Sequence, residues 1–218
     1  IAEFADDSEQ MADYFNQLGG TGKLTDLYFA VALGLAAIGA AGYATQALLR
    51  LRTEEASGRL EPLLATSVSR TRWAWSHLAV AALGIVLLVA LTGFTAGLTY
   101  GFVIGDVGGQ APRLVAASLV YLPAVLALAG LVVAAFGFLP HRAIAIAWTA
   151  VAFCFLIGQL GPLLDLPQAV LDLSPFTHIP AVPADELTAL PMVVLVVLAA
   201  GLVAAGLAGF RRRDLATS

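Results

Sequence analysis

Five stretches of this chain, near 27–49, 75–101, 113–139, 143–164 and 191–210, are almost unbroken in their apolar character. A helix needs roughly 20 apolar residues to cross a hydrocarbon layer of about 30 Å at 1.5 Å per residue. Each stretch meets that length. A lipid-embedded backbone must satisfy its polar groups within the segment, so the stretches can only be helices. Charged residues make up 12% of the chain, about half the usual share of a soluble domain, roughly 25%. The fold class that follows is all-α: a polytopic transmembrane helical bundle.

Charge sets the expected orientation. Nine of the 11 Lys and Arg residues fall in three places: the loop 50–74 (Arg50, Arg52, Arg59, Arg70, Arg72), Arg142, and the tail 211–218 (Arg211, Arg212, Arg213). With five spans these places share one side, which the positive-inside rule makes cytoplasmic. The acidic segment 1–26, the loop GDVGGQAP and the loop 165–190 then lie outside. The expected location is a bacterial cell membrane, with the first residue outside and the last inside. The chain begins at Ile1, and an external start before an odd number of spans predicts a further helix ahead of it, giving a six-helix unit.

Between their end residues the spans hold no Asp, Glu, Lys or Arg. Ion-coupled carriers use such groups near mid-membrane, which makes a self-powered carrier the weaker alternative. Polar content is slight, and Phe94, Tyr100, Phe136, Trp148, Phe153 and Phe155 are available to an apolar path. A hydrophobic small molecule is the cargo this suits. Gly93 and Gly97 form a GxxxG pair that lets helices approach closely. Cys154 stands alone in an apolar run and reads as a packing residue.

Several motifs carry possible chemistry. GGTGKLT at 19–25 lacks the first Gly and the final Ser/Thr of a phosphate loop, with Gln17 and Leu24 in those places; it reads as a flexible linker. EEASGR matches the EExxxR pattern of intramembrane CAAX-type peptidases, with Glu54 and Glu55 as the catalytic pair. That family also needs FxxxH and HxxxN, and His77, His141 and His178 provide neither. The peptidase remains an alternative. His178 lies in SPFTHIPAVP without further metal ligands at suitable spacing. The segment 165–190 is too rich in proline to span and reads as short helices along, or re-entering, the outer leaflet.

The loop TEEASGRLEPLLATSVSRTR is the most polar part of the chain. Leu60, Leu63 and Leu64 fall at i, i+3 and i+4 and form one apolar stripe. Pro62 is acceptable only in a first turn, so a short helix is expected from Gly58 or Arg59. Glu54, Glu55 and Glu61 disfavour an anionic lipid surface, which leaves docking into a protein groove as the preferred role.

The order EEASGRLEPLLATSVSRTRW, HL with a long span, LPHR, SPFTHIP and a closing FRRRD resembles permease subunits of type-2 ATP-binding-cassette exporters. The likeness is to actinobacterial polyketide-antibiotic (tetronasin-like) exporter permeases and covers essentially the whole chain. It implies the second to sixth spans of one half, most readily the C-terminal half. It also implies a coupling helix in the 50–74 loop that docks on an ATPase subunit, involving Glu54, Glu55, Gly58, Arg59, Leu60, Glu61, Leu63 and Leu64. By the resemblance this chain has no cofactor of its own, ATP and Mg being held by the partner subunit. The other partners implied are a second six-helix half, the lipid membrane and the cargo; no nucleic acid is expected.

Overall fold

The computed structural model describes residues 20–57, 69–161, 166–185 and 187–212. Seven α-helices occur among them: α1 (Gly20–Ala56), α2 (Arg70–Ile104), α3 (Val107–Leu119), α4 (Leu122–Phe138), α5 (Ala143–Leu160), the single turn α6 (Gln168–Leu171) and α7 (Ala189–Arg212), with a 3-10 turn at Pro175–His178. No strand occurs among the described residues. Among the described residues five spans are long and apolar enough to cross a membrane, α3 and α4 together making the third. The all-α polytopic bundle expected from the apolar runs is what forms.

The helix ends differ from the expected ones, each for a local reason. α1 has 37 residues, about 55 Å of helix, and overruns the apolar stretch at both ends. At its start, GGTGKLT is helical from Gly20 rather than a linker. Asp26 pairs with Arg113 at 2.7 Å and anchors these first turns to α3. At its far end the helix continues through Arg50, Arg52, Glu54 and Glu55 to Ala56. The stretch between the first two spans, expected over 50–74, is therefore bounded by helix as far as Ala56 and again from Arg70, where Ser69 N-caps α2.

GDVGGQAP is not a loop either. Gly105, at φ 77°, caps α2 in the left-handed conformation that favours glycine. Asp106 then N-caps α3 by accepting from the Gly109 amide at 3.0 Å. The third span, expected as one helix over 113–139, breaks at Val120–Tyr121. Pro123 stands in the first turn of α4 and cannot donate to the preceding turn. The Tyr121 hydroxyl crosses to α1 and donates to the Ala30 carbonyl at 2.9 Å.

Small residues set the packing. A Cβ on Gly97 would lie 2.6 Å from Ala111 Cα, and one on Gly101 would lie 2.6 Å from Val107 Cα. The GxxxG pair thus extends to Gly101 and brings α3 against α2. On the other side Gly137 and Gly206 place the backbones of α4 and α7 in contact, and a Cβ on Gly130 would meet the Ala199 carbonyl at 2.9 Å. Such approach replaces the hydrophobic driving force that is missing inside lipid. The third span is 67% buried against 22% for α2 and for α7, so it is the axis of the bundle. Leu114, Val125 and Phe210 are fully enclosed.

In the segment after α5, α6 and the 3-10 turn are the short helices expected there, and the 3-10 turn packs against α4, α5 and α7. Its His178 Nδ1 lies 3.1 Å from the Ser174 carbonyl. Cys154 is buried in α5, as a packing residue should be.

Candidate functional site at the arginine-rich end

The turn between α4 and α5, the gap between α1 and α2, and the end of α7 all lie at one end of the bundle. Side-chain contacts tie them together there. Arg52 Nε donates to the Pro140 carbonyl at 3.0 Å, joining the last turns of α1 to the α4–α5 turn. One turn-fraction on, Glu54 Oε2 accepts from Trp73 Nε1 at 3.3 Å. The same oxygen lies 3.3 Å from His77 Nε2. Trp73 and His77 are at i and i+4 of α2 and share a face; their rings meet edge to face at 5.0 Å.

Behind them the aromatic contact continues. Trp73 lies 5.9 Å from Phe210 of α7, and Phe210 lies 5.1 Å from Phe136 of α4. Trp73 is 6% exposed and Phe210 is fully buried, so the aromatic chain is part of the packed interior. Its outer end reaches the surface through His77, 21% exposed, and through Glu54 beside it, 30% exposed. The helix ends bounding 57–69 are therefore fixed to each other and, through Trp73 and Phe210, to α4 and α7. The contacts made at these helix ends thus join four spans.

Of the residues expected to dock a partner, Glu54 and Glu55 are described and lie in the last turn of α1, not in a loop. Glu54 is turned towards α2. Glu55 is half-buried beside it. Gly58, Arg59, Leu60, Glu61, Leu63 and Leu64 lie outside the described residues. Reading the sequence missed Trp73, His77, Phe136 and Phe210 as a group. The i, i+4 spacing of Trp73 and His77, directly after Arg72, was the available signal; no spacing links either to Phe210.

For the peptidase alternative, Glu54 does meet one histidine. Among the described residues, no three His, Cys, Asp or Glu side chains gather as a metal site would require.

Apolar clefts flank the bundle. One of about 440 Å³ opens between α2, α4 and α7, beside Trp75, Ile85, Ala129 and Val203. Another, about 590 Å³, lies at the opposite end between α4, α7 and the 3-10 turn, beside Leu128, Pro175 and Leu195. Both suit apolar molecules.

Five apolar spans among the described residues, packed through glycine contacts, define a multi-pass helical membrane protein. Comparison with known proteins narrows this. The chain belongs to the family described as multidrug efflux system permease Rv1217c, C-terminal domain, whose model matches residues 1–211. It is 40% identical over 215 residues to the multidrug efflux system permease protein Rv1217c of Mycobacterium tuberculosis. That match takes in 99% of this chain and 39% of the relative. The chain thus spans well under half of the relative's length. The exporter-permease resemblance read from the residue order agrees with this membership.

Proposed function

We propose that this chain forms one half of the membrane-spanning permease of an ATP-driven exporter, moving a hydrophobic small molecule out of the cell. A separate ATP-binding subunit would supply the energy and hold ATP and Mg, and a second six-helix half would complete the pathway. The arginine-rich end faces the cytoplasm in this reading, as the positive-inside rule requires, so the chain starts outside and ends inside. This makes the chain a transport subunit rather than an enzyme.

The observation that carries the reading is the bracing of α1 to α2 by Glu54 across the ends of 57–69. The leucine-striped segment Leu60, Leu63 and Leu64 lies between those ends. A partner gripping that stripe would move α1 and α2 together and, through Trp73 and Phe210, bear on α4 and α7. Family membership supports efflux as the direction, since the relative is named as an efflux permease.

The test uses the full-length permease purified with its ATP-binding subunit. Leu64→Asp and Glu61→Lys should each abolish cargo-stimulated ATP hydrolysis while leaving the permease folded in the membrane. Unchanged stimulation in both variants would remove the docking role. Failure of the full-length chain to co-purify with any ATP-binding subunit would remove the exporter reading itself.

A further inference from the structure

At the same end of the bundle a cleft of about 420 Å³ opens between α1 and α2, and its lining differs from the others. Its floor and walls include Ala47, Val80 and Ala81, but Gln46, Arg50, Ser76 and His77 also face it. Both ends of the cleft are closed by specific contacts. Towards the arginine-rich end the Glu54 carboxylate holds His77 and Trp73. Towards mid-span the Tyr43 ring lies over Gly84, where a Cβ would come within 2.6 Å of its Cε1.

The polar groups between those ends are mostly donors. Arg50 offers five N–H groups and cannot lose its charge, and Gln46 offers two more. Ser76 already gives its proton to the Trp73 carbonyl at 2.7 Å. Among the described residues no carboxylate lines the cleft, and Arg50 pairs with none. Glu54, the acid nearest in sequence on α1, is engaged with α2. Arg50 and Gln46 are both exposed, so their donors are accessible to an anionic ligand entering the cleft.

The apolar side of the cleft is open. Val80 is 68% exposed, and the face of α2 continues through Leu83 at 61% and Leu87 at 51%. These residues fall at i, i+3 and i+7, one line along the helix. Arg50 stands immediately past the apolar run of α1, at the depth where lipid head groups meet hydrocarbon. A ligand with an acidic head at Arg50 and Gln46 would lay its tail along Val80, Leu83 and Leu87.

We infer that the α1–α2 cleft binds the anionic head of a membrane amphiphile, with Arg50 as its counter-ion. The head is carried either by a resident anionic lipid or by an acidic exported compound. The binding itself does not depend on the exporter reading; only the assignment of the head to a cargo rests on it.

The test places the full-length permease in phosphatidylcholine nanodiscs, which expose both faces. The probe is a diazirine-bearing palmitic acid, used in an alkaline buffer that ionises it, with its methyl ester as the uncharged control. The acid should label peptides containing 43–50 and 76–83, and the ester should label them about five- to tenfold less, the factor one charge-assisted hydrogen bond supplies in a half-exposed site. Arg50→Gln should reduce labelling by the acid by the same factor, and Arg50→Lys should retain most of it. Labelling by the ester, unchanged in Arg50→Gln, reports an intact cleft. Suppression of the acid's label by added phosphatidylglycerol identifies a resident lipid. Its loss on ATP turnover by the assembled complex, with phosphatidylglycerol ineffective, identifies cargo. Equal labelling by acid and ester, or labelling by the acid that is indifferent to Arg50→Gln, would overturn the site and leave Arg50 as a marker of the membrane boundary only.

Discussion

Glu54 Oε2 lies 3.3 Å from both Trp73 Nε1 and His77 Nε2. One carboxylate oxygen therefore fixes the last turn of α1 to the first turns of α2. Glu54→Gln keeps an acceptor for the indole and loses the charge; Glu54→Ala loses both bonds. Thermal unfolding in detergent should show Glu54→Ala as the less stable variant, by about 1–2 kcal/mol for a half-buried pair of bonds. If the chain works with an ATP-binding subunit as proposed, cargo-stimulated ATP hydrolysis should fall in both. Equal unfolding of Glu54→Ala and the parent would mean the contact is not maintained in solution.

Gly206 is in backbone contact with Gly137, and Gly201 on the same helix has open space around its Cα. Gly206→Val should push α7 from α4 and cost about 3 kcal/mol or more, visible as loss of monodisperse protein on size exclusion. Gly201→Ala should be tolerated and raise stability by roughly 0.5–1 kcal/mol through helix propensity. The contrast within one helix separates packing from propensity.

Tyr121→Phe removes only the hydroxyl that donates to the Ala30 carbonyl. Hydrogen bonds between membrane helices are worth about 0.6 kcal/mol on average, with a maximum near 1.7. A loss within that range, measured by steric trapping or urea unfolding in bicelles, is expected. A larger loss would show that the break at Val120–Tyr121 depends on this bond and not on Pro123 alone.

Asp26 and Arg113 form an ion pair whose arginine is 42% exposed. A double-mutant cycle with Asp26→Asn and Arg113→Gln should give a coupling of about 1 kcal/mol or less, shrinking as salt is raised. Coupling that persists in high salt would place the pair out of reach of water.

The spans were legible because a long apolar run permits little besides a membrane helix, and all five formed. Their ends were less so. Asp26, Arg50 and Glu54 look like loop residues when polarity is the guide, yet each continues a helix. The cause is tertiary for Asp26 and Glu54: a partner on α3 holds Asp26 in the first turns of α1, and partners on α2 hold Glu54 in the last. Gly105 and Asp106 carried the turn signal between α2 and α3, but the glycines that follow masked the start of the second helix. Pro123 was visible, although membrane helices often tolerate proline, so its presence did not by itself announce a break. The Trp73–Phe210 contact could not be read at all, since apolar periodicity says which face is covered and not by what.

The interruption at Val120–Tyr121 also has a mechanical meaning. Glycine contacts lock α3 to α2 and α4 to α7 at the level of the backbone, so the two pieces of one span belong to different blocks. Side-chain rearrangement has little room to absorb a change of angle between those blocks, because the main chains already touch. Residues 120–121 are the covalent link between those blocks, and the Tyr121 hydroxyl ties that link to α1 as well.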